Sequence, residues 1–333
     1  MQPSDATPPH SIWTRRRFLQ VVGAGVVATP LVAHSTSTDL LARVGLPLPG
    51  AGRLAQESAF DASRAWDDLV NQVNAGPRVP NTPGHDAVRD YMLRELRAAT
   101  DRVDTQDFTW DVRGTTLKMS NVFALFGPDE PGKVILAAHW DTRPQADQDP
   151  NPANRSTPIP GANDGASGVA VLLEVARTLQ AAPPPIGVII MMLDGEDYGP
   201  GVEDMFLGSR YWAMNMVPER PAWGILLDMI GDRDLHIPRE ASSETFAPAV
   251  NARVWQAAQE LGRTEFDNRV GSGILDDHVP IIQAGVPMID LIDFSYGPNH
   301  SWWHTLEDTP DKCSPESLAA VGQVVLRTLY NAG

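Results

Sequence analysis

Residues 134–141 read Val-Ile-Leu-Ala-Ala-His-Trp-Asp: five apolar residues that run without a turn into an imidazole, an indole and a carboxylate. A short, wholly apolar run of this kind is a strand buried on both faces. The pattern recurs downstream. Ile186 to Leu193 is apolar and stops in Asp194-Gly195-Glu196-Asp197; Gly224 to Ile230 carries Asp228 near its end; Val286 to Ile292 is a fourth such run. Gly165 to Ala182 bears Val, Leu and Ala on several faces and predicts a well-buried helix. Outward from this centre, Asp61 to Val73 and His85 to Ala98 predict helices, the second opened by the turn residues Pro80-Asn81-Thr82-Pro83-Gly84. Asp107 to Val112 and Leu117 to Phe126 suggest a strand pair, and Pro315 to Tyr330 an amphipathic closing helix. There is no internal repeat and no low-complexity tract. Apolar strands separated by helices define an α/β fold, a central, mostly parallel mixed β-sheet with helices on both faces. Ligands of such sheets collect beyond the carboxyl ends of the strands, where the polar clusters fall here.

The chain has 333 residues, 42% hydrophobic and 20% charged, the composition of a soluble core with an ordinary polar surface. Its formal charge is −16; the first 33 residues contribute +2 (Arg15, Arg16 and Arg17 against Asp5), so the remainder carries −18. A body this acidic repels phosphate backbones and anionic lipid, which argues against nucleic-acid binding. A single cysteine, Cys313, excludes an intrachain disulfide framework and a thiolate metal cluster. Cys313 reads as a buried or shielded thiol.

Residues 14–20, Thr-Arg-Arg-Arg-Phe-Leu-Gln, precede an apolar, Gly/Ala-rich run from Val21 to Ala33 that Pro30 interrupts. A charged start followed by a short apolar centre is the pattern of a secretory signal. Paired arginines before Phe-Leu resemble the twin-arginine motif, so residues 1–33 are expected to address the chain to that export machinery. Cleavage near Leu31-Val32-Ala33 would leave a periplasmic or secreted protein; without cleavage the run would anchor it to the membrane. Residues 34–55 read as a linker and 56–333 as the catalytic domain.

His139/Asp141, Asp164, Glu196/Asp197, Asp228 and His304 punctuate the apolar framework. Each has an ordinary explanation alone. Asp164, in Gly161-Ala162-Asn163-Asp164-Gly165-Ala166-Ser167-Gly168, fits a cap for the helix after it. Asp228 fits a carboxylate bonded to backbone amides, Glu196-Asp197 a solvated loop, and His304 a satisfied polar histidine. Together they form a set of carboxylate oxygens and imidazole nitrogens that suits zinc without thiolate. A catalytic zinc site needs three protein ligands, an open position and a neighbouring base that is not a ligand.

These stretches, with Asp276-Asp277-His278-Val279-Pro280 and Trp303-His304-Thr305, stand in an order that resembles the M28 zinc peptidase family, within it the bacterial glutaminyl cyclase branch. The similarity spans roughly residues 60–330. It implies Asp164, Asp197 and His304 as zinc ligands, Glu196 as general acid/base, and Asp228 and Asp276 as a hydrogen-bonded acidic network beside it. The family usually has Glu where this chain has Asp197, one methylene shorter, about 1.5 Å of lost reach.

Relatives in the family divide into glutaminyl cyclases, which convert an N-terminal glutamine to pyroglutamate with release of ammonia, and aminopeptidases, which remove N-terminal residues. In the two-zinc peptidases the equivalents of His139 and Asp228 hold a second metal, bridged by that of Asp164, so one zinc is expected here with donors for a second. Asp276, the long Tyr198–Leu207 segment and Trp303 directly before His304 favour the cyclase, with Trp303 lining the substrate pocket and peptide or protein N-termini as substrate. An animal-cyclase tryptophan soon after the acidic pair is missing, Tyr198-Gly199-Pro200-Gly201 standing there. A third reading, an exported binding module with its chemistry lost, implies eroded ligands, whereas Asp164, Asp197, His304 and Glu196 are all present. Trp302 reads as core or rim packing, Arg210 and Tyr211-Trp212 as packing of a helix on the sheet, and Asp147 and Asp149 as loop and solubility residues in a Pro/Asn-rich loop, running to Pro160, that is expected to flank the site.

Overall fold

The computed structural model describes residues 59–332; the expected signal segment and linker lie outside the described residues. Two helices come first, α1 (Ala62–Asn74) and α2 (Pro83–Ala99). Asp61 caps α1 by accepting from the amides of Ser63 and Arg64, and Thr82 caps α2, with Pro83 pre-set in the first turn. Then follow β1 (Val103–Val112), β2 (Thr115–Phe126) and β3 (Val134–His139), helix α3 (Ala166–Ala181), β4 (Val188–Leu193), α4 (Leu207–Asn215) and β5 (Trp223–Asp228). The remaining elements are β6 (Ile237–Arg239), α5 (Ala241–Phe246), α6 (Pro248–Glu260), β7 (Phe266–Val270), α7 (His278–Gln283), β8 (Met288–Ile292) and α8 (Pro315–Tyr330).

Six strands form one sheet in the order β1-β2-β4-β3-β5-β8. The β4-β3-β5-β8 block is parallel, and β1 and β2 add an antiparallel wing. The expected mostly parallel mixed sheet is therefore present, with β3 and β4 as neighbours. Strand periodicity divides its core. Leu136 and Ala138 of β3 point to the large cluster under α1, α2, α3 and α8, whereas Ile135 and Ala137 point to a smaller one with Trp212 of α4 and Ile281 of α7. Strands β3, β4 and β5 are buried along their whole length and have no polar position until they end.

The chain runs from β3 to β4 on one flank, then crosses back to β5 on the other. The loops leaving these strands thus converge at the carboxyl end of β3. Helix α3 sits hard against the sheet because Gly168 has no side chain: a Cβ there would lie 2.3 Å from the carbonyl oxygen of Leu227. Residues 237–277, with the small β6-β7 parallel pair, α5 and α6, are regular structure that the sequence pattern did not reveal.

Candidate active site

His139 closes β3 and Asp228 closes β5; Glu196 and Asp197 follow β4; Asp164 immediately precedes α3; Asp276 precedes α7; and His304 lies in the loop after β8. All seven side chains are buried. The structure brings five of them into two overlapping sets with Glu196 beside them. Nε2 of His139 lies 3.1 Å from Asp164 Oδ1 and 3.1 Å from Asp228 Oδ1, and Nδ1 lies 3.8 Å from Glu196. Nε2 of His304 lies 3.5 Å from Asp164 Oδ2 and 3.2 Å from Asp197 Oδ1. Asp164 therefore turns one oxygen to each imidazole. In each triad, His139/Asp164/Asp228 and Asp164/Asp197/His304, one donor atom per residue falls within 4.8 Å of the others.

Asp164 is not the helix cap its position allowed: α3 begins without a side-chain cap, on Gly165. That glycine is needed for close approach, since a Cβ on it would come within 2.6 Å of the His139 ring. Asp228 contacts His139 and, among the described residues, accepts from no backbone amide.

A layer of residues behind the donors holds the loops. Asp141 accepts from the amides of Glu196 (3.0 Å) and Asp197 (3.2 Å), which fixes the turn after β4. Asp308 accepts from the amides of Asn163 and Asp164 and from the Tyr296 hydroxyl. Arg78, fully buried, donates to the carbonyls of Trp140, Pro160 and Gly161 and ties three segments together. Asp147 and Asp149, expected as solubility residues, face inward instead. Asp147 is paired with Arg143 and stands 3.5 Å from Nδ1 of His304, and buried Asp149 accepts from the amide of Leu306. Arg143 also donates to Asp197 Oδ1 at 2.7 Å. Sequence reasoning passed over Arg143 and Asp308; the only signal was their position, two residues after Asp141 and four after His304.

Electrostatics follow from so many acids in a dry space. Burial raises the Glu196 carboxyl well above the ordinary range; His139 pulls it back, and Asp197, Asp276 and Asp277 push it further up. Burial, then the charge of Asp228, pushes Asp276 up to about 7. Burial opposes a proton on His304, but Asp197 and Asp147 outweigh it and raise its pKa to about 9. Asp276 uses one oxygen to accept from the Asp277 amide; the other has no hydrogen-bond partner among the described residues. The same is true of Asp197 Oδ2. Buried oxygens without partners cost free energy unless a proton, a water or a cation completes them. Two carboxylates and an imidazole with an orphaned oxygen form a donor set that fits a zinc-type cation.

Aromatic rings wall one side. Trp303 stacks on His304 with ring centroids 3.7 Å apart, His300 stacks on Trp303 at 4.9 Å, and Phe294 meets both. Trp302 packs edge-on against buried Tyr296 and plays the packing role expected of it. Of the residues assigned to helix packing, Trp212 lies buried against the sheet, Tyr211 stacks on Phe108, and Arg210 donates to the carbonyls of Val202 and Glu203, which ties down the long Tyr198–Leu207 segment. Cys313 is buried, as expected.

The parallel strands of the mixed sheet thus end in one buried cluster of acids and histidines, a donor set of the metal-binding kind. Residues 121–329 match the model of peptidase family M28, and the chain belongs to that family. Among solved structures it is similar to a glutaminyl cyclase from Bacteroides thetaiotaomicron bound to N-acetylhistamine, at 41% identity and TM-score 0.78, covering 82% of this chain and 98% of that one. It is also similar to a Zn-dependent exopeptidase from Parabacteroides distasonis, at 39% identity and TM-score 0.79, covering 82% and 98%. A curated relative, the glutaminyl-peptide cyclotransferase-like protein of Bos taurus, is 26% identical over 80% of this chain and 74% of its own length.

Proposed function

We propose that this protein is a zinc-dependent glutaminyl-peptide cyclotransferase, which converts the N-terminal glutamine of peptides or proteins to pyroglutamate and releases ammonia. The observation that carries the reading is the buried Glu196, made more basic by burial and neighbouring acids, beside the Asp164/Asp197/His304 triad. The similarity to a bacterial glutaminyl cyclase supports it.

Asp164, Asp197 and His304 would hold one zinc ion, and His139 and Asp228 offer donors for a second. Zinc so held supplies Lewis acidity toward the side-chain carboxamide carbonyl of the substrate glutamine. Glu196 takes a proton from the substrate α-amine, whose nitrogen then attacks the carboxamide carbon. The new C–N bond closes the five-membered ring, and Glu196 returns the proton to the departing nitrogen as the old C–N bond breaks and ammonia leaves. Asp228 and Asp276 lie in the same dry space; acids crowded together do not all ionise freely, and so share protons and keep Glu196 basic. Trp303 restricts the open side and helps hold the glutamine in the attacking geometry, which an intramolecular reaction needs most.

The peptidase reading shares the scaffold, and the similarity to a Zn-dependent exopeptidase favours it. There, Glu196 would take its proton from water, which attacks the first peptide bond. A coupled ammonia assay on a glutamine-initiated peptide, run beside a free-amino-acid assay on the same mixture, separates the two. Ammonia without free amino acid is the expected result; free amino acid without ammonia would reverse the assignment. The Arg-Arg-Arg-Phe-Leu stretch at 15–19 supports export through the twin-arginine route to the periplasm or beyond.

A further inference from the structure

The Arg143–Asp147 pair links two candidate metal ligands, Asp197 and His304, that are far apart in sequence. Arg143 is 4% exposed and spends its whole fork. Nε and Nη2 grip Asp147 in a two-pronged pair at 3.0 and 2.9 Å, and Nη1 donates to Asp197 Oδ1 at 2.7 Å. Asp147 Oδ1 in turn faces Nδ1 of His304 at 3.5 Å, on the ring edge away from the triad. The sequence Asp197–Arg143–Asp147–His304 is thus a closed belt around one side of the donor set. It is also tightly seated: a Cβ on Gly199 would lie 2.5 Å from Arg143 Nη1.

We infer that Arg143 and Asp147 are positioning residues of the metal site, Arg143 fixing the carboxylate of Asp197 and Asp147 fixing the ring of His304. Three physical points carry this. First, Asp197 is shorter than the glutamate usual in the family, and the same Oδ1 that lies 3.2 Å from Nε2 of His304 accepts from Arg143, so the guanidinium fixes where that oxygen points. Second, the Asp147 carboxylate faces Nδ1 at 3.5 Å, short of a hydrogen bond, and its charge draws the ring N–H to that edge, which leaves Nε2 free as a donor. Third, a lone guanidinium so near the site would repel a cation; the two-pronged pair with Asp147 neutralises it. Lysine offers a point charge and cannot serve both acids at once.

The inference rests on the zinc reading above, and the experiment separates the two. Zinc affinity is measured on the purified folded protein by competition with a chromophoric chelator, and the visible spectrum of the cobalt-substituted protein reports coordination geometry. Arg143→Gln should weaken zinc about 10- to 100-fold, as loss of groups that orient ligands does, with altered cobalt bands. Arg143→Lys should fail to restore the affinity. Asp147→Asn, a minimal change that tests the belt should Arg143→Gln not fold, should also weaken zinc and alter the cobalt bands. Arg177→Gln, which removes a half-buried arginine remote from the donors, should stay within about twofold of the parent. Parent-like zinc affinity and cobalt spectra in folded Asp147→Asn and any folded Arg143 variant would overturn the belt alone. A parent protein that takes up no zinc would overturn the zinc reading and the belt with it.

Discussion

Two regions of this molecule bury clustered acids, and they treat them in opposite ways. Between helices α1, α2 and α3, Arg177 donates to both oxygens of Asp68, to Glu95 and to Glu174; Arg64 donates to both oxygens of Glu174, and Tyr91 to Asp68. Every carboxylate there has a cation. At the carboxyl end of the sheet, among the described residues, no arginine or lysine pairs with Glu196, Asp228 or Asp276, and Asp197 Oδ2 and Asp276 Oδ2 have no hydrogen-bond partner. The first arrangement is complete once the chain has folded. The second is left incomplete, so a cation and a substrate can finish it. Arg143 is where the two designs meet, one arginine set against a candidate metal ligand.

The sharpest way to test that contrast is Glu196→Gln. Activity should fall by about 10²- to 10⁴-fold, the range for loss of a general acid/base, with zinc content and thermal stability retained. Normal turnover, measured at matched zinc loading, would remove Glu196 from the base role. The mirror experiment is Arg177→Gln. Taking the cation from buried Asp68 and Glu174 should cost about 3–5 kcal/mol of stability, read by urea unfolding, while kcat/KM of the folded fraction holds. A lowered kcat/KM at full folding would break the division into finished and unfinished regions.

Glu240 is a third acid, near the site but of the finished kind. It accepts from the amides of Ser242, Ser243 and Ile274 and from the Ser243 hydroxyl, and lies 3.3 Å from His278. Burial works against its ionised form, but His278 and the serine donors overcome this and hold its pKa down to about 2. A depressed folded-state pKa contributes stability above the unfolded value near 4.3 and loses it as pH falls through about 2. On the order of 3 kcal/mol should therefore disappear across that window, and Glu240→Gln should flatten this part of the stability–pH curve. An unchanged curve would show that Glu240 is not anchored in this way. The smallest effect expected is that of Trp303→Ala. Losing one stacked ring should raise KM about 2- to 10-fold with kcat less affected. A loss confined to kcat would move Trp303 from holding substrate to ordering His304.

The parts of this design that lie along the chain were readable. Strand β3 and its abrupt His139 ending, the run after β4, and the start of α8, where Ser314 caps and Pro315 opens the helix, carry their signals in adjacent residues. Residues 237–277 were not, because β6 and β7 span three and five residues of mixed polarity and pair only through distant neighbours. The site divides likewise. Asp164, Asp197 and His304 stood out because each interrupts apolar or glycine-rich sequence. Arg143 did not, since its partner Asp197 is 54 residues away and nothing local distinguishes an arginine that will be buried. Asp149 looked like one more polar loop residue until the loop folded back to the amide of Leu306.

The central claim is that the unfinished acid cluster cyclises an N-terminal glutamine. Mass spectrometry of a short glutamine-initiated peptide, incubated with the zinc-loaded protein, tests it most directly. The account predicts a product lighter by one ammonia with every residue still in place; a product shortened by the whole N-terminal residue would contradict it.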